Sequence, residues 1–262
     1  MRLSLLYNPR LICERLSGIL QDRRRLRTLR HTVAAGLELG HLDSLELLEL
    51  LRDNPPKVIY DIGAFSGTWT LLAKAIFPNS EVHAFEPLAS LASDFSERTG
   101  HVAGVYRHPV AIGSTRGRLP LQLANALDCS SLLKIGAEQT RQFHVTSAGT
   151  EMVDVERLDE YVGRNGLPLP NLIKLDVQGF ELEALRGADE CLKAAYAVIS
   201  EVSFIELYQG QCLFGDIVEF LKDRKFLTRA FSVATSLGRP LIQTDVLFQK
   251  PDDETLRSNG LG

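Results

Sequence analysis

The sequence predicts an α/β fold in which helices cover the faces of a mostly parallel β-sheet. Between positions 57 and 112, short β-branched and aromatic runs alternate with helical stretches of roughly ten residues. The alternation returns at 172–177, a run with the apolar character of a buried strand. A glycine-bearing loop joins the first of these strands to the next helix, which is typical of sheets that bind ligands at their strand ends.

The elements follow one another in a regular order. Gly100 is placed to be the C-cap of a helix at 88–99. A turn at 238–240 joins the last two strands, which we expect to pair antiparallel, whereas 124–149 lacks periodicity and resembles a substrate-covering loop. Strands are predicted at 57–62, 81–85, within 102–112, and at 119–123, 152–155, 172–177, 196–202, 227–231 and 245–250. Helices are predicted at 68–76, 88–99, 180–185 and 216–224, with a helical turn at 157–162.

The first 54 residues predict helices. Arginines crowd the stretch from 22 to 30, which favours the solvated face of an amphipathic helix over a membrane-surface or phosphate-binding helix. A second helix is expected at 44–52, with Asp43 and Glu46 as a capping-box variant at its start. Asn54, Pro55 and Pro56 end it, because proline cannot continue a helix.

Composition narrows the function classes. The formal net charge is −4, which does not suggest bulk attraction to nucleic acid. No run approaches the roughly 20 apolar residues that cross a bilayer, and the N-terminus lacks the features of a secretory signal. The four cysteines are scattered without metal-ligand spacing, so we expect reduced thiols, no metal and a cytoplasmic location.

The loop from Asp61 to Gly67 carries the strongest chemical signal. Glycine lets a backbone approach a ligand closely, and Gly63 and Gly67 lie four residues apart rather than in the three-glycine dinucleotide pattern. Glu86 ends the second strand, where a carboxylate can accept hydrogen bonds from the two hydroxyls of an adenosine ribose. Asp61 is placed for the amino-acid end of S-adenosylmethionine, the cationic cofactor that we expect here, with Phe65 or Trp69 as an aromatic wall. For Trp69, core packing on the helix that follows the loop is favoured over that role.

Several motifs together resemble the FkbM-type methyltransferases, a branch of the class I S-adenosylmethionine-dependent enzymes. The matching segments are 58–68, 84–87, 110–113, 173–181, 185–188, 201–204 and 207–214, within a resemblance that covers roughly 57–250. The resemblance implies a Rossmann-like seven-stranded sheet with an antiparallel last strand, and O-methylation of a sugar or polyketide-type hydroxyl. The chain would then divide into a helical extension at 1–54, a methyltransferase domain at 55–251 and a loose tail at 252–262.

The resemblance and the residue pattern together nominate a cofactor site. Phe65 stands where the family often has Asn, so the loop around the cofactor should differ, and Gln178 stands where an acidic residue is common. That second departure argues against a metal-dependent variant. The nominated cofactor-binding residues are Asp61, Gly63, Ala64, Phe65, Gly67, Thr68, Glu86, Pro87, Ala111, Ser131, Asp176 and Gln178.

Methylation of a hydroxyl requires a base, because an alcohol is a weak nucleophile until its proton is removed. Asp176 near the end of the predicted strand at 172–177 is the first candidate, and Glu201 near the end of the predicted strand at 196–202 is the second. His144 in the irregular insertion is a third candidate. Glu181 can instead cap the following helix, and His108 is expected to be structural.

Other functions remain open at this stage. A nicotinamide-dependent oxidoreductase shares the loop and the strand-end acid, but the three-glycine pattern and a Tyr-x-x-x-Lys pair are not evident. A non-catalytic binding module would have no need for the intact loop and Glu86. The expected partner is a small-molecule or glycan acceptor and not nucleic acid, and the N-terminal helices offer a surface for a homo-oligomer.

Overall fold

A computed structural model describes residues 9–37, 42–232 and 240–251, with side chains from position 17 onward. The predicted turn at 238–240 lies mostly, and the predicted tail at 252–262 wholly, outside the described residues. The described strands are β1 (Val58–Ile62), β2 (Glu81–Phe85), β3 (Val105–His108), β4 (Ala111–Ile112), β5 (Gly117–Ala124), β6 (Ser147–Glu156), β7 (Leu172–Leu175), β8 (Ala197–Ser203), β9 (Leu227–Phe231) and β10 (Gln243–Gln249). The described helices are α1 (Pro9–Leu29), α2 (Leu45–Glu49), α3 (Thr68–Ile76), α4 (Ala92–Thr99), α5 (Ala137–Phe143), α6 (Leu158–Asn165), α7 (Glu181–Arg186), α8 (Asp189–Ala194) and α9 (Phe214–Lys222).

The main sheet has seven strands in the order β3-β2-β1-β7-β8-β10-β9. In this sheet the neighbouring strands among β3, β2, β1, β7 and β8 pair in parallel. Strand β10 runs antiparallel to both β8 and β9. This arrangement confirms the predicted α/β class, the seven-stranded sheet and the antiparallel last strand. Apolar clusters pack on its two faces; Tyr60 and Ile62 belong to one, Ile59 to the other.

The register brings three strand ends to one place. Ile62 pairs with Phe85 of β2 on one side and with Leu175 of β7 on the other. The chain order changes direction at β1, because β2 and β3 lie to one side and β7 and β8 to the other. The loops that follow β1, β2 and β7 therefore meet at the switch point of the sheet, where ligands bind in folds of this type.

A second, three-stranded sheet has the order β4-β6-β5. The sequence predicted short strands within β5 and β6 but not their antiparallel pairing or their union with β4 in a separate sheet. Two short helices, α5 and α8, were also not predicted. The stretch expected to be a loop, 124–149, thus contains a helix and the first part of β6.

The N-terminal helices join the main body of the molecule. Leu29, Leu45 and Leu48 belong to the apolar cluster that also contains Ile59 of β1. The predicted capping box is wrong: α2 has Ser44 as its N-cap without a side-chain cap hydrogen bond, and the Glu46 carboxylate accepts hydrogen bonds from Arg25 and Gln21 of α1. An ion pair with an arginine is a stronger use of that carboxylate than a bond to one backbone N–H.

Within the described ranges, no helix has both the length and the apolar character needed to cross a membrane.

Candidate active site

The loop after β1 is shaped by two glycines. Gly63 has φ +84°, and a Cβ there would lie 1.9 Å from the carbonyl oxygen of Asp176. Gly67 has φ +83° and forms the N-cap of α3, against Phe95 and Thr99 of α4. Only glycine fits both the left-handed backbone and the close approach. The loop is thereby held against the residue that follows β7.

Glu86 fastens this loop to the end of β2. Its Oε2 accepts a hydrogen bond from the Phe65 N–H at 3.1 Å, and its Oε1 accepts one from the Leu88 N–H at 2.8 Å. Burial raises the pKa of Glu86 above its ordinary value, against the effect of these backbone bonds. Phe65 has φ +48°, a region that asparagine tolerates better than phenylalanine.

A first cavity opens beside Glu86, where the loops that follow β1, β2 and β7 meet. Its walls combine the loop backbone at Gly63 with apolar side chains. The lining side chains include Pro87, Leu88, Val110, Ala111, Ser131, Leu132, Val177 and Phe180. This cavity thus places the buried Glu86 carboxylate among largely apolar walls, with Asp128 and Asp176 as its other carboxylates.

A second cavity adjoins the first and shares Gly63, Phe65, Asp128, Asp176 and Gln178 with it. Its other walls are more polar, and the predicted Ala64 and Thr68 lie among them. Further lining residues include Asp43, Ser44, Trp69, Gln139, Phe143, Lys174, Glu201, Gln243, Thr244 and Asp245. Asp176 and Gln178 therefore stand at the junction of the two cavities.

Lys174 and three carboxylates form the charged centre of the second cavity. The Nζ of Lys174 lies 3.4 Å from Asp176 Oδ2 and 3.3 Å from Asp245 Oδ1, and also donates to the Leu175 carbonyl at 3.2 Å. Glu201 faces Asp245 across the β8–β10 pair. Burial and the nearby Asp176 carboxylate raise the pKa of Glu201 well above its ordinary value.

Gln178 connects the two candidate bases. Its Nε2 donates to Asp176 Oδ1 at 2.8 Å and to Glu201 Oε2 at 3.2 Å, while its Oε1 accepts from the Tyr208 hydroxyl at 2.8 Å. Its backbone has φ +54°, and its carbonyl accepts a hydrogen bond from Ser131 Oγ at 2.7 Å. The neutral amide thus separates two carboxylates that would repel each other if they were adjacent.

Some nominated residues do not line either cavity. The carboxyl of Asp61 is buried within β1 and accepts a hydrogen bond from Thr70 Oγ1 at 2.5 Å, and burial raises its pKa to about 6. Gly67 gives the loop its left-handed turn at the N-cap of α3 and does not line a cavity. His144 is exposed at the C-terminal end of α5 with φ +58°. Asp61 and His144 therefore stay predictions that the geometry of the cavities does not support.

Two side chains have the structural positions that were expected. Glu181 Oε1 accepts hydrogen bonds from the N–H groups of Val177 and Gly179 in the turn that leads into α7. His108 packs between His83, Phe85 and Tyr161, and burial lowers its pKa to about 4.

Sequence reasoning missed the groups that surround the carboxylates. Ser44 of the N-terminal region donates a hydrogen bond to Asp245, and Gln243 Nε2 donates to Glu201 Oε1 at 3.0 Å. Lys174 lies within the family-matching segment 173–181, and an ionisable residue in an otherwise apolar strand is a signal that could have identified it. No group of three or more His, Cys, Asp or Glu side chains suited to a metal ion occurs among the described residues.

A family model described as the methyltransferase FkbM domain matches residues 61–228. The chain belongs to the FkbM methyltransferase family. The matched range contains the glycine loop, Glu86, Asp176 and Glu201, so both cavities lie largely within the family's domain. The family resemblance and the methyltransferase class predicted from the sequence are confirmed.

Curated relatives of this FkbM chain are methyltransferases by name. The 2-O-methyltransferase NoeI of Sinorhizobium fredii is 28% identical over 178 residues, covering 65% of this chain and 73% of that protein. Methyltransferase 1 of Beauveria bassiana is 30% identical over 175 residues, covering 60% and 70%. The hexuronic acid methyltransferase AglP of Haloferax volcanii is 27% identical over 164 residues, covering 62% of each chain.

Proposed function

We propose that this protein is an S-adenosylmethionine-dependent O-methyltransferase whose acceptor is a hydroxyl of a sugar or another small polyhydroxylated molecule. The observation that carries the proposal is the junction of the two cavities at Asp176 and Gln178, with Glu86 in the first cavity. Such a junction suits a reaction between a nucleoside-bearing donor on one side and a polar acceptor on the other. The relatives NoeI, a 2-O-methyltransferase, and AglP, a hexuronic acid methyltransferase, support O-methylation and a sugar-like acceptor.

The residues of the first cavity fit the donor. Each oxygen of Glu86 takes one backbone N–H and keeps acceptor capacity for a ribose hydroxyl. The apolar side chains of Leu132, Val177 and Phe180 suit an adenine ring. Because Gly63 lacks a side chain, the loop after β1 lies directly against the Asp176 carbonyl, and both residues line this cavity. When bound, S-adenosylmethionine supplies an electrophilic methyl group on a cationic sulfur.

Asp176 is proposed to take the proton from the acceptor hydroxyl. It lines both cavities, so it lies beside both the donor site and the acceptor site, whereas Glu201 lines only the second. Gln178 holds the Asp176 carboxylate through Oδ1, and Lys174 contacts it through Oδ2. A fixed base removes the proton as the new C–O bond forms, and alignment of the two reactants supplies much of the rate.

The proposal is tested by calorimetric titration of the purified protein with S-adenosylhomocysteine and, separately, with NADH. We expect saturable binding of the first ligand only, lost in Glu86→Ala because the ribose hydroxyls lose their acceptor. Glu206→Ala is the matched control: Glu206 Oε1 also accepts a backbone N–H, that of Gly210, but lines neither cavity.

Each alternative has its own result in this titration. Binding of NADH instead of S-adenosylhomocysteine would favour a nicotinamide-dependent oxidoreductase. Binding of neither ligand by a protein that melts cooperatively would favour a non-catalytic module of the same fold. Equal loss of binding in both glutamate variants would mean that the mutations disturb the fold rather than the site.

A further inference from the structure

The part of the second cavity that lies away from Glu86 has a specific chemical character. Its walls carry the hydroxyl of Ser44, the amides of Gln139 and Gln243, and the aromatic rings of Trp69 and Phe143. Amides and hydroxyls bind sugar hydroxyls, and aromatic rings cover the apolar C–H faces of a sugar. The wall therefore matches a ligand with many hydroxyl groups.

The ammonium group of Lys174 has no hydrogen left to donate to an anionic ligand. It is the sole Lys or Arg among the described residues that line this cavity. Its ammonium has three hydrogens, and Asp176, Asp245 and the Leu175 carbonyl already receive them. The side chain is only 2% exposed, so it cannot swing out to meet a new partner.

Apart from Lys174, the charged residues described in the wall of the second cavity are all carboxylates. Asp128 and Asp176 also line the first cavity and can balance the positive sulfur of the donor. Asp43 and Asp245 line the second cavity only, so they face the acceptor side, whereas the raised pKa of Glu201 favours its neutral form. A carboxylate or phosphate on the acceptor would meet like charges and, among the described lining residues, no cation with a hydrogen left to donate.

Two unpaired polar atoms give an independent indication of a ligand. Gln139 is 2% exposed; its Nε2 donates to the Tyr208 hydroxyl at 3.0 Å, but its Oε1 is buried without a hydrogen-bond partner. The indole Nε1 of Trp69 is likewise buried and unpaired. Both residues belong to the cavity wall, and an unpaired acceptor and an unpaired donor there suit a hydroxyl-bearing ligand.

We infer that the second cavity selects an uncharged or amino-bearing polyhydroxylated acceptor, such as a hexose or hexosamine, and rejects sugars that carry a carboxylate. This inference rests on the proposed function, since it names the acceptor class of that same site. The selectivity would differ from that implied by the name of the relative AglP, a hexuronic acid methyltransferase.

The test compares three pyranosides that differ in one substituent: methyl β-glucoside, methyl β-glucosaminide and methyl β-glucuronide. Dissociation constants are measured by NMR titration at saturating S-adenosylhomocysteine and again without it. The glucosaminide should bind tightest, and the glucuronide at least about tenfold more weakly than the glucoside, because like charges oppose its carboxylate. The difference should shrink in high salt, since ions screen the cavity mouth.

A second experiment reverses a charge at the mouth of the second cavity. Asp128 is exposed there, so Asp128→Lys should strengthen glucuronide binding and narrow its difference from the glucoside, with Asp128→Asn giving a smaller change in the same direction. Asp223→Lys is the matched control, because Asp223 is exposed and lines neither cavity.

Three results overturn the inference: glucuronide binding as tight as that of the glucoside, no binding of any of the three glycosides, or equal effects of Asp128→Lys and Asp223→Lys. Failure of wild-type protein to bind S-adenosylhomocysteine would instead contradict the proposed function. The titrations without that ligand would still rank the three glycosides.

Discussion

At the scale of single residues, the site depends on how Asp176 and Glu201 are kept apart. Gln178 bonds to both carboxylates through one amide nitrogen, and its own position is fixed by Tyr208 and Ser131. The left-handed backbone at Gln178 is part of this arrangement, because it turns the chain so that the amide lies between the two acids. Strained residues of this kind are frequent at functional sites.

The first prediction separates the two candidate bases. Asp176→Asn should lower the rate of methyl transfer by about 10²–10⁴-fold, since the amide cannot take a proton. Affinity for S-adenosylhomocysteine should stay within about threefold, because the shape of the side chain is kept. The measurement is single-turnover transfer of labelled methyl to the best glycoside acceptor.

Glu201→Gln is the matched comparison and should lower the rate of methyl transfer less than Asp176→Asn does. If Glu201 were the base, its variant would lose more activity than Asp176→Asn. The wild-type rate would then rise with pH through a value well above that of an ordinary carboxyl, because the pKa of Glu201 is raised.

The second prediction concerns Tyr208, which is buried between α5 and the reaction centre. Its hydroxyl contacts the Gln178 and Gln139 side chains and the Cys129 carbonyl. Tyr208→Phe should lower the free energy of unfolding by about 1–3 kcal/mol, because buried polar atoms lose their partner. The measurement is urea denaturation.

The control is Tyr106→Phe, since Tyr106 is 49% exposed on β3 and should lose less than about 0.5 kcal/mol. Equal losses in the two variants would contradict a special role for the Tyr208 hydroxyl.

At the scale of elements, local signals decided what could be predicted. Strands β1 and β2 were predicted because each is a short apolar run bounded by residues that break regular structure, as at Phe85-Glu86-Pro87. Helix α5 was missed because it is short and has Gln139 as its buried residue, so it shows no apolar periodicity. Its place in the fold is set by Tyr208, which is distant in the sequence.

Lys174 and Asp245 of the charged centre were missed for the same reason, whereas Asp176 and Glu201 were nominated as candidate bases. Lys174 and Asp245 are 71 positions apart, and Ser44 and Asp245 are 201 positions apart. Only the pairing of β10 with β8, and the packing of α2 beside them, bring these groups together. The glycine loop and Glu86 belong to one strand-helix-strand unit, so the sequence could locate the donor side but not the acceptor side.

The third prediction tests how α1 is attached. Arg25 donates from Nε and Nη2 to the two oxygens of Glu46, at 2.7 and 2.9 Å, and its side chain is 11% exposed. Arg25→Ala should therefore destabilise the protein by about 1.5–3 kcal/mol, as expected for hydrogen bonds between charged groups. Trypsin should cleave the 17–30 segment faster in this variant.

The neighbouring Arg24 is exposed and supplies the control. Arg24→Ala should change stability by less than about 0.5 kcal/mol. If the two variants behave alike, the ion pair does not hold α1 against α2.

At the scale of the whole molecule, several buried ionisable groups act on stability in opposite directions. Burial raises the pKa of Asp61 to about 6 and that of Glu181 to about 7. Burial lowers the pKa of His108 to about 4 and also lowers that of His83. Each raised carboxyl makes stability fall as pH rises, whereas each lowered histidine makes stability fall as pH drops, so the two kinds of group oppose each other.

A single variant isolates one of these contributions. Folded Glu181 binds its proton up to about pH 7, whereas the unfolded side chain releases it near the ordinary value of 4.5. Between these values the folded state holds more protons, so this residue reduces stability as pH rises, by at most about 1.4 kcal/mol per pH unit. Glu181→Gln removes that loss while its amide oxygen can still accept from Val177 and Gly179.

The fourth prediction follows from that sign. Unfolding free energies of wild type and Glu181→Gln, measured in urea at half-unit steps from pH 4.5 to 7.5, should diverge in favour of the variant as pH rises and then run parallel above about 7. The histidines contribute equally to both proteins and cancel in the difference. A difference that is constant with pH, or that grows toward low pH, would mean that the folded Glu181 carboxyl is ionised, held by the backbone N–H groups at the start of α7 more strongly than burial opposes it.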